Sequence, residues 1–249
     1  MSCVRKMRVG VLALIAVLAF SAIASASASA SQPKAEPEGG TFPVGFTGSS
    51  ATGGTLETVK GRLVTCTSDS SKGSIDSATT VTNVIVIFKG CTASGPFGIK
   101  LPCASGKTSG EIETVALKGT LFYVKAGSSD SGVLLEPTSG PMTKFASFLC
   151  GPTLGVEETL AVRGSVVGAI TPVNTLTTAF SLKFTQTKGV QSPLEYLDAT
   201  CTKKKAALET EGVGKGFGSE TWAYEQSGVG TTESLTTSKK VKISASSCV

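Results

Sequence analysis

The chain contains no histidine among its 249 residues. This absence excludes a Ser-His-Asp or Cys-His catalytic arrangement within the chain, and it excludes a metal site with an imidazole ligand. Aromatic residues are also scarce, with one tryptophan and three tyrosines. No glycine motif of the phosphate-binding kinds is present, because the glycines lie among serine and threonine, as in β-turns. No segment shows a sustained apolar stripe of helical period.

The first thirty residues have the three-part pattern of a secretory signal peptide. A basic head containing Arg5, Lys6 and Arg8 precedes an apolar run from Val9 to Phe20, and small residues follow as far as Ala30. The apolar run is shorter than the ~20 residues that a membrane-spanning helix needs. The pattern predicts a cleaved signal peptide over residues 1–30 and a secreted, extracellular protein, with membrane attachment not expected.

The charge balance of the remaining chain argues against nucleic acid as a partner. The leading segment carries three of the 23 lysines and arginines and none of the 18 acidic residues, so residues 31–249 have a net charge of +2. Binding to phosphate backbones needs a concentrated basic surface, which such a balance does not supply.

Six cysteines remain after the leading segment, and an even number in an exported chain predicts disulfides. Cys91 and Cys103 bracket a short loop, so we expect them to be joined. We also expect Cys66–Cys150, because each ends a stretch with strand character, and Cys201–Cys248, which would fix the C-terminus. No cysteine pair has the close spacing of a zinc site.

From Thr41 onward the chain reads as short strands separated by glycine or proline. Residues Leu176 to Thr185 alternate between apolar and polar, as do Lys240 to Ala245, and this predicts half-buried strands. Val84 to Phe88 is apolar throughout and predicts a central strand covered on both faces. The fold class predicted is all-β: an antiparallel sandwich or barrel of about ten or more short strands, stapled by disulfides.

The expected organisation is a flexible leader over residues 31–40 followed by a single β domain over residues 41–249. Two packed β subdomains are the alternative. The leader is predicted from its prolines, its charges and its lack of large apolar side chains. Two similar segments, Gly54 to Leu63 and Gly110 to Leu121, are compatible with a duplicated hairpin or with chance.

Several short motifs resemble a group of secreted proteins that soil actinobacteria encode in many copies. These motifs are Val64-Thr-Cys66, Gly73-Ser-Ile75, Val86-Ile-Phe88-Lys-Gly90-Cys91, Gly110-Glu-Ile112 running to Leu121, and Thr171-Pro-Val-Asn174 running to Phe184-Thr-Gln-Thr-Lys-Gly189. The resemblance covers most of the chain and implies export and a β-rich fold. It implies no activity and supplies no catalytic residue.

Candidate chemistry is limited to carboxylates. Glu111 and Glu113 lie two apart in a predicted strand at ~7 Å, a separation compatible with sugar hydrolysis by a carboxylate pair, although a solvated face is the simpler interpretation. Glu158 is an even number of positions from the apolar residues Val156, Leu160 and Val162, so in a regular strand it would point inward with them. We attribute this pattern to a bulge or a later strand start. Asp69, Asp76 and Asp130 lie in or beside Ser/Gly loops without the ligand spacing of a calcium loop, so no metal or other cofactor is expected.

Two other groups are candidates for surface binding. Trp222 and Tyr224 lie two apart in a predicted strand and would share a face, either as an exposed stacking platform or as core. Lysines 203–205 and 239–240 could contact anionic polymers, although solvation is the simpler interpretation.

The leading functional hypothesis is a secreted, non-enzymatic β-protein with a structural or binding role at the cell exterior. The candidate partners are a cell-wall polymer or another envelope protein. The alternatives are an extracellular hydrolase of glycosidase type and an envelope-associated β-barrel.

Overall fold

The computed structural model describes residues 32–95, 98–151, 156–216 and 220–248. The predicted signal peptide lies outside the described residues. The fold is all-β, and the strands in chain order are β1 Lys34–Pro37, β2 Val44–Ser50, β3 Thr55–Thr58, β4 Leu63–Thr65, β5 Ser68–Ile75, β6 Thr80–Lys89, β7 Thr92–Ser94, β8 Lys100–Ala104, β9 Ile112–Glu113, β10 Leu117–Tyr123, β11 Ser131–Pro137, β12 Lys144–Cys150, β13 Val156–Gly164, β14 Val166–Thr171, β15 Leu176–Thr187, β16 Val190–Ser192, β17 Glu195–Leu197, β18 Lys203–Lys205, β19 Leu208–Gly216 and β20 Trp222–Ser244.

Eight antiparallel strands close into a barrel, here called ring one. Each strand pairs with the next, and the last pairs with the first, in the order β2, β5, β6, β10, β11, β14, β15, β20. Phe180, Leu182 and Phe184 of β15 are buried, so the predicted apolar face of this strand points into the ring. Closure leaves no free edge among these eight strands.

A second closed circuit of antiparallel pairings, ring two, runs in the order β20, β3, β4, β7, β8, β12, β13, β19 and back to β20. The long strand β20 belongs to both rings. Its first part, Trp222 to Gly230, pairs within ring two, and the part from Thr231 onward pairs within ring one. The described residues therefore contain one closed barrel and a second closed circuit of strands that shares β20 with it.

One hydrophobic core runs through both rings. Val44 and Leu121 of ring one belong to the same buried cluster as Leu101, Phe148 and Leu160 of ring two. A cavity of about 80 Å³ lies where the rings meet, and another of about 60 Å³ lies inside ring one. The rings are thus packed against each other through apolar contacts as well as being linked by β20.

The expectation of a leader outside the fold is wrong for residues 34–37. They form β1, which pairs with β20 from Lys34 opposite Ser244 to Pro37 opposite Val241. Ala35 is 2% exposed and belongs to the core. The small apolar side chains of Pro33, Ala35 and Pro37 are buried, and together with a ladder of backbone hydrogen bonds they fix this segment, although it has no large apolar residue.

All six cysteines form disulfides, but two of the three predicted pairings are wrong. The bridges are Cys66–Cys91, Cys103–Cys150 and Cys201–Cys248, and only the last was expected. Cys91 and Cys103 are neighbours, and the Cys103 N–H donates to the Cys91 carbonyl at 2.9 Å. Their side chains nevertheless bridge outward to the strands on either side, because β4 pairs with β7 and β12 pairs with β8.

Candidate functional site

A polar cavity lies inside ring two beside the turn that joins β3 to β4. Its volume is about 320 Å³, at the lower end of the range for ligand sites in proteins. The exposed residues Lys60 and Ser94 mark its mouth. The remaining lining residues are Leu56, Thr58, Gly61, Arg62, Leu63, Val64, Ala93, Glu158, Leu160, Thr210 and Trp222.

The β3–β4 turn positions Arg62 in the wall of this cavity. Gly61 precedes it with a φ of +82°, a left-handed conformation that glycine adopts without steric cost. The Arg62 backbone N–H then donates to the Thr58 hydroxyl at 3.2 Å. This tight turn directs the Arg62 side chain toward the start of β20 and the middle of ring two.

The Arg62 guanidinium lies among three carboxylates from distant parts of the chain. Its Nη2 is 2.6 Å from Oε2 of Glu220. Its Nη1 is 3.8 Å from Oε1 of Glu158, and its Nε is 3.9 Å from Oε1 of Glu225. Charge-assisted contacts of this kind hold a planar guanidinium in a fixed orientation.

Glu225 is the most deeply buried of the three acids, with a side chain 6% exposed. Lys60 Nζ lies 3.0 Å from Oε2 of Glu225, but neither Glu225 oxygen has a well-directed hydrogen bond from the described residues. The Nε–H of Arg62 also lacks an acceptor there. A buried polar group without a partner costs about 1–3 kcal/mol. These atoms are enclosed by protein, and Glu225 is not among the residues that line the cavity.

Trp222 forms another wall of the cavity, and its indole N–H donates to Oε1 of Glu158 at 2.8 Å. The Cζ of Arg62 lies 4.5 Å from the centre of the indole ring, within range of a cation–π contact. On β19 the indole packs over Gly212, where a Cβ would overlap the ring. Trp222 is half-buried and in contact on several sides.

The expectation that Trp222 and Tyr224 share a face is wrong. The register of β19 against β20 shifts by one residue, with Thr210 opposite Glu225 but Gly212 opposite Trp222. This bulge turns Trp222 inward with Glu225 and leaves Tyr224 on the outer face, because residues on either side of a bulge change sides.

Tyr224 belongs to a separate group on the outside of ring two. The Cζ of Arg163 lies 3.6 Å from the centre of its ring, and Glu209 accepts from Arg163 Nε at 2.9 Å. Burial, followed by a hydrogen bond with Glu211, raises the pKa of Tyr224. The two aromatic residues therefore do not form the joint platform that their spacing predicts.

Glu158 points inward, as its spacing from the apolar residues of the strand indicates. The explanation of that spacing by a bulge or a later strand start is wrong. It lies within β13, opposite Cys150 and Gly214, and the pairing of β13 with β19 is regular along its whole length. The inward position is tolerated because Arg62 and the Trp222 indole both approach the carboxylate.

A second pair of acids lies inside ring one. Glu233 borders both apolar cavities and accepts a hydrogen bond from the Ser71 hydroxyl at 2.5 Å. Burial raises the pKa of Glu233 to about 7, and the nearby Asp69 adds to the effect. Burial also raises the pKa of Asp69, which accepts from the Thr231 hydroxyl at 3.0 Å. The surroundings therefore favour a neutral carboxyl at Glu233.

The other candidate carboxylates are dispersed. Glu113 is exposed in β9, and Glu111 lies before that strand. The Asp76 carboxylate accepts from Ser74 and Thr82, which lower its pKa. Across the described ranges, no three His, Cys, Asp or Glu residues are grouped as metal ligands would be.

The lysine clusters take part in local contacts. Lys203 and Lys204 of β18 lie 3.5 Å and 3.7 Å from carboxylates of Glu195 and Asp198. Lys239 donates to the carbonyl of Thr41 at 2.6 Å. Some lysines of both clusters therefore already have partners within the chain.

Comparison with protein-family models, with curated proteins and with solved structures gives no match for this chain. No helix in the part of the chain that the structure describes has the length and apolar character needed to cross a membrane.

Proposed function

We propose that the protein is a secreted, non-enzymatic binding protein that acts at the cell exterior and holds its ligand in the ring-two cavity. The observation that carries the proposal is a cavity of about 320 Å³ whose lining brings the charged side chains of Arg62 and Glu158 together with the Trp222 indole. Concave sites with apolar walls and a few convergent polar groups are the usual places where proteins bind small ligands. The signal-type N-terminus and the three disulfides support action outside the cell.

The geometry favours binding over hydrolysis. Sugar hydrolysis by two carboxylates requires the scissile bond to lie between them. Here the guanidinium of Arg62 lies between Glu158 and Glu225 and contacts both. A ligand can lie against this group, but a glycosidic bond has no place between the two acids.

The single tryptophan of the chain gives a direct test, because Trp222 lines the cavity. Purified protein is titrated with a panel of neutral sugars, sugar acids, amino sugars, organic acids and amines while the Trp222 emission is recorded. We expect a saturable change with at least one class, because a ligand that approaches Arg62 alters the surroundings of the indole.

The matched control is a pair of serine substitutions on exposed strand positions. Ser94→Phe fills the mouth of the cavity, whereas Ser234→Phe places the same side chain on an exposed position of β20 in ring one. The response is expected to disappear in Ser94→Phe and to persist in Ser234→Phe. A panel without any saturable response, or a response equal in both variants, contradicts the proposed site.

A further inference from the structure

A hairpin of two short strands, β17 and β18, lies against ring one and is here called the flap (residues 195–205). The ring of its Tyr196 lies 4.8 Å from the ring of Phe122, which belongs to a buried cluster separate from the common core. Within the described ranges, β17 pairs with ring one at a single position, Tyr123 opposite Leu197. The flap is therefore held to the ring by side-chain contacts more than by a ladder of backbone hydrogen bonds.

The flap closes over apolar side chains that the common core does not include. Phe122 of β10 and Val167 of β14 are 2% and 0% exposed and pack with Tyr196. A second small cluster joins Leu197 of the flap to Cys248 near the end of the chain. Because both clusters are separate from the core that connects the rings, movement of the flap exposes them and leaves that core in contact.

The only covalent link between the flap and the rest of the fold, besides the chain itself, is the disulfide Cys201–Cys248. Cys201 lies in the turn of the flap and is partly exposed, whereas the other five disulfide-bonded cysteines are buried. A thiolate must reach a sulfur atom to exchange with a disulfide. Access therefore favours attack at Cys201 over attack at any of the four cysteines of ring two.

The backbone at Cys201 is also strained. Its φ is +58°, in the left-handed region that is sterically unfavourable for a residue with a Cβ. No other cysteine in the described part of the chain has a positive φ. Exposed or strained disulfides are the ones that exchange most readily, and this bridge combines both properties.

The bridge Cys103–Cys150 provides an internal comparison. It and Cys201–Cys248 both span 47 residues, so each removes the same loop-closure entropy from the unfolded chain. Cys103 and Cys150 are each 0% exposed and lie opposite each other where β8 pairs with β12. A difference in reactivity between the two bridges therefore reflects access and backbone conformation, since loop length is the same.

We propose that Cys201–Cys248 is a redox-labile latch, which an external dithiol opens in the folded protein to release the flap. One thiolate of the dithiol attacks Sγ of Cys201, forms a mixed disulfide and displaces the thiolate of Cys248, which takes up a proton. The second thiolate of the dithiol attacks the dithiol's own sulfur in the mixed disulfide and releases Cys201 as a thiol. Two electrons and two protons pass to the protein, and the dithiol becomes a disulfide. The latch acts on ring one and does not depend on the ring-two ligand site.

Selectivity is tested on the folded wild-type chain. The protein is treated with increasing dithiothreitol in the absence of denaturant, thiols are trapped by rapid alkylation, and peptide mapping identifies the alkylated cysteines. We expect Cys201 and Cys248 to be alkylated at least about tenfold faster than Cys103 and Cys150. Equal rates for the two bridges, or earlier reduction of Cys103–Cys150, overturn the latch.

Release of the flap is tested by trypsin, because β18 consists of three exposed lysines, Lys203–Lys205. A strand that leaves its partners becomes a better protease substrate. Cleavage at these lysines is expected to become about tenfold faster or more once the latch is reduced, whereas cleavage at Lys240, an exposed lysine of β20, is expected to stay at its original rate. An opened latch without faster cleavage in β18 overturns the release of the flap.

The double substitution Cys201→Ser with Cys248→Ser reproduces the opened latch without a reductant. Cleavage at Lys203–Lys205 in this variant should match the reduced wild type, while the emission of Trp222 in ring two stays as in the oxidised wild type. Slow cleavage in a variant whose fold circular dichroism verifies overturns the proposal. The experiments on the wild type need no substitution and decide the proposal by themselves if the variant does not fold.

Discussion

At the scale of single residues, the most unusual group is Glu233. Its carboxyl is buried among apolar side chains of ring one, 3% exposed, and borders both apolar cavities. An ionised carboxylate in such surroundings costs several kcal/mol unless it is paired. Ser71 supplies one hydrogen bond, and no cation is among the interactions that shift the pKa of Glu233.

We predict that the protein is more stable in mild acid than at alkaline pH through Glu233. Because burial raises the pKa of Glu233 from 4.5 to about 7, its favourable contribution is complete below pH 4.5 and is lost as the pH rises through about 7. The loss is on the order of 3 kcal/mol. Urea unfolding between about pH 5 and pH 9 measures it.

The variant Glu233→Gln should be free of this loss and should exceed the wild type in stability at alkaline pH. Glu113→Gln, at an exposed acid, is the control and should follow the wild type. Stability of the wild type that stays constant or increases across this range is incompatible with a buried, neutral Glu233.

Gly212 determines where the indole of Trp222 lies. A Cβ at position 212 would overlap Cε2 and Nε1 of Trp222, so only glycine leaves room for the ring. The glycine thereby keeps the indole N–H in reach of Glu158 and the ring under Arg62.

We predict that Gly212→Ala displaces the indole, changes the Trp222 emission of the ligand-free protein and costs about 1–3 kcal/mol of stability, as overpacking does. Chemical denaturation followed by fluorescence measures both effects. Gly45→Ala is the control, because a Cβ at position 45 meets no atom within 4 Å. An unchanged emission in Gly212→Ala would mean that the indole lies elsewhere.

At the scale of the strands, the alternation of apolar and polar residues correctly predicted which side chains are buried wherever the strand pairing is regular. Phe180, Leu182 and Phe184 are buried on one side of β15 as their alternation indicates. Leu176, at the start of the same pattern, is 47% exposed because the register against β20 shifts after Thr177. A bulge cannot be recognised from the order of apolar residues in a sequence, so the exposure of Leu176 could not be predicted.

Turns are harder to locate than strands in such a pattern. Residues 55–64 contain β3, a turn at residues 59–62 and the start of β4. That turn carries Lys60 and Arg62 to the cavity. Gly61 was the available signal, since a glycine between two strand-like runs indicates a possible hairpin.

At the scale of the whole molecule, the shared strand β20 and the common core couple the two rings. Strand composition predicted the all-β class correctly, but the closure of each ring depends on pairings between distant segments, which local patterns do not encode. The same holds for the cavity, because Arg62, Glu158 and Glu225 approach one another only through those pairings. The local signals for the site were the inward-pointing position of Glu158, the candidate binding residue Trp222 and the turn glycine Gly61.

We predict that both rings unfold in one cooperative transition. Leu121→Ala in ring one should destabilise the protein by about 2–5 kcal/mol, because Leu121 is 3% exposed in the common core. Trp222 fluorescence reports on ring two and far-ultraviolet circular dichroism on both, and the two curves should shift together toward lower urea. A Trp222 transition that stays in place while the dichroism curve shifts would show that the rings are independent.

The ring-two cavity is assigned as the ligand site, and this assignment can be tested through the indole N–H of Trp222. With one tryptophan in the chain, a two-dimensional NMR spectrum contains a single indole signal, from the proton that Glu158 accepts. A member of the ligand panel that occupies the cavity is expected to move this signal saturably in the wild type and to leave it in place in Ser94→Phe. A panel member that binds, as measured by calorimetry, without moving the indole signal contradicts the assignment of the ligand to this cavity.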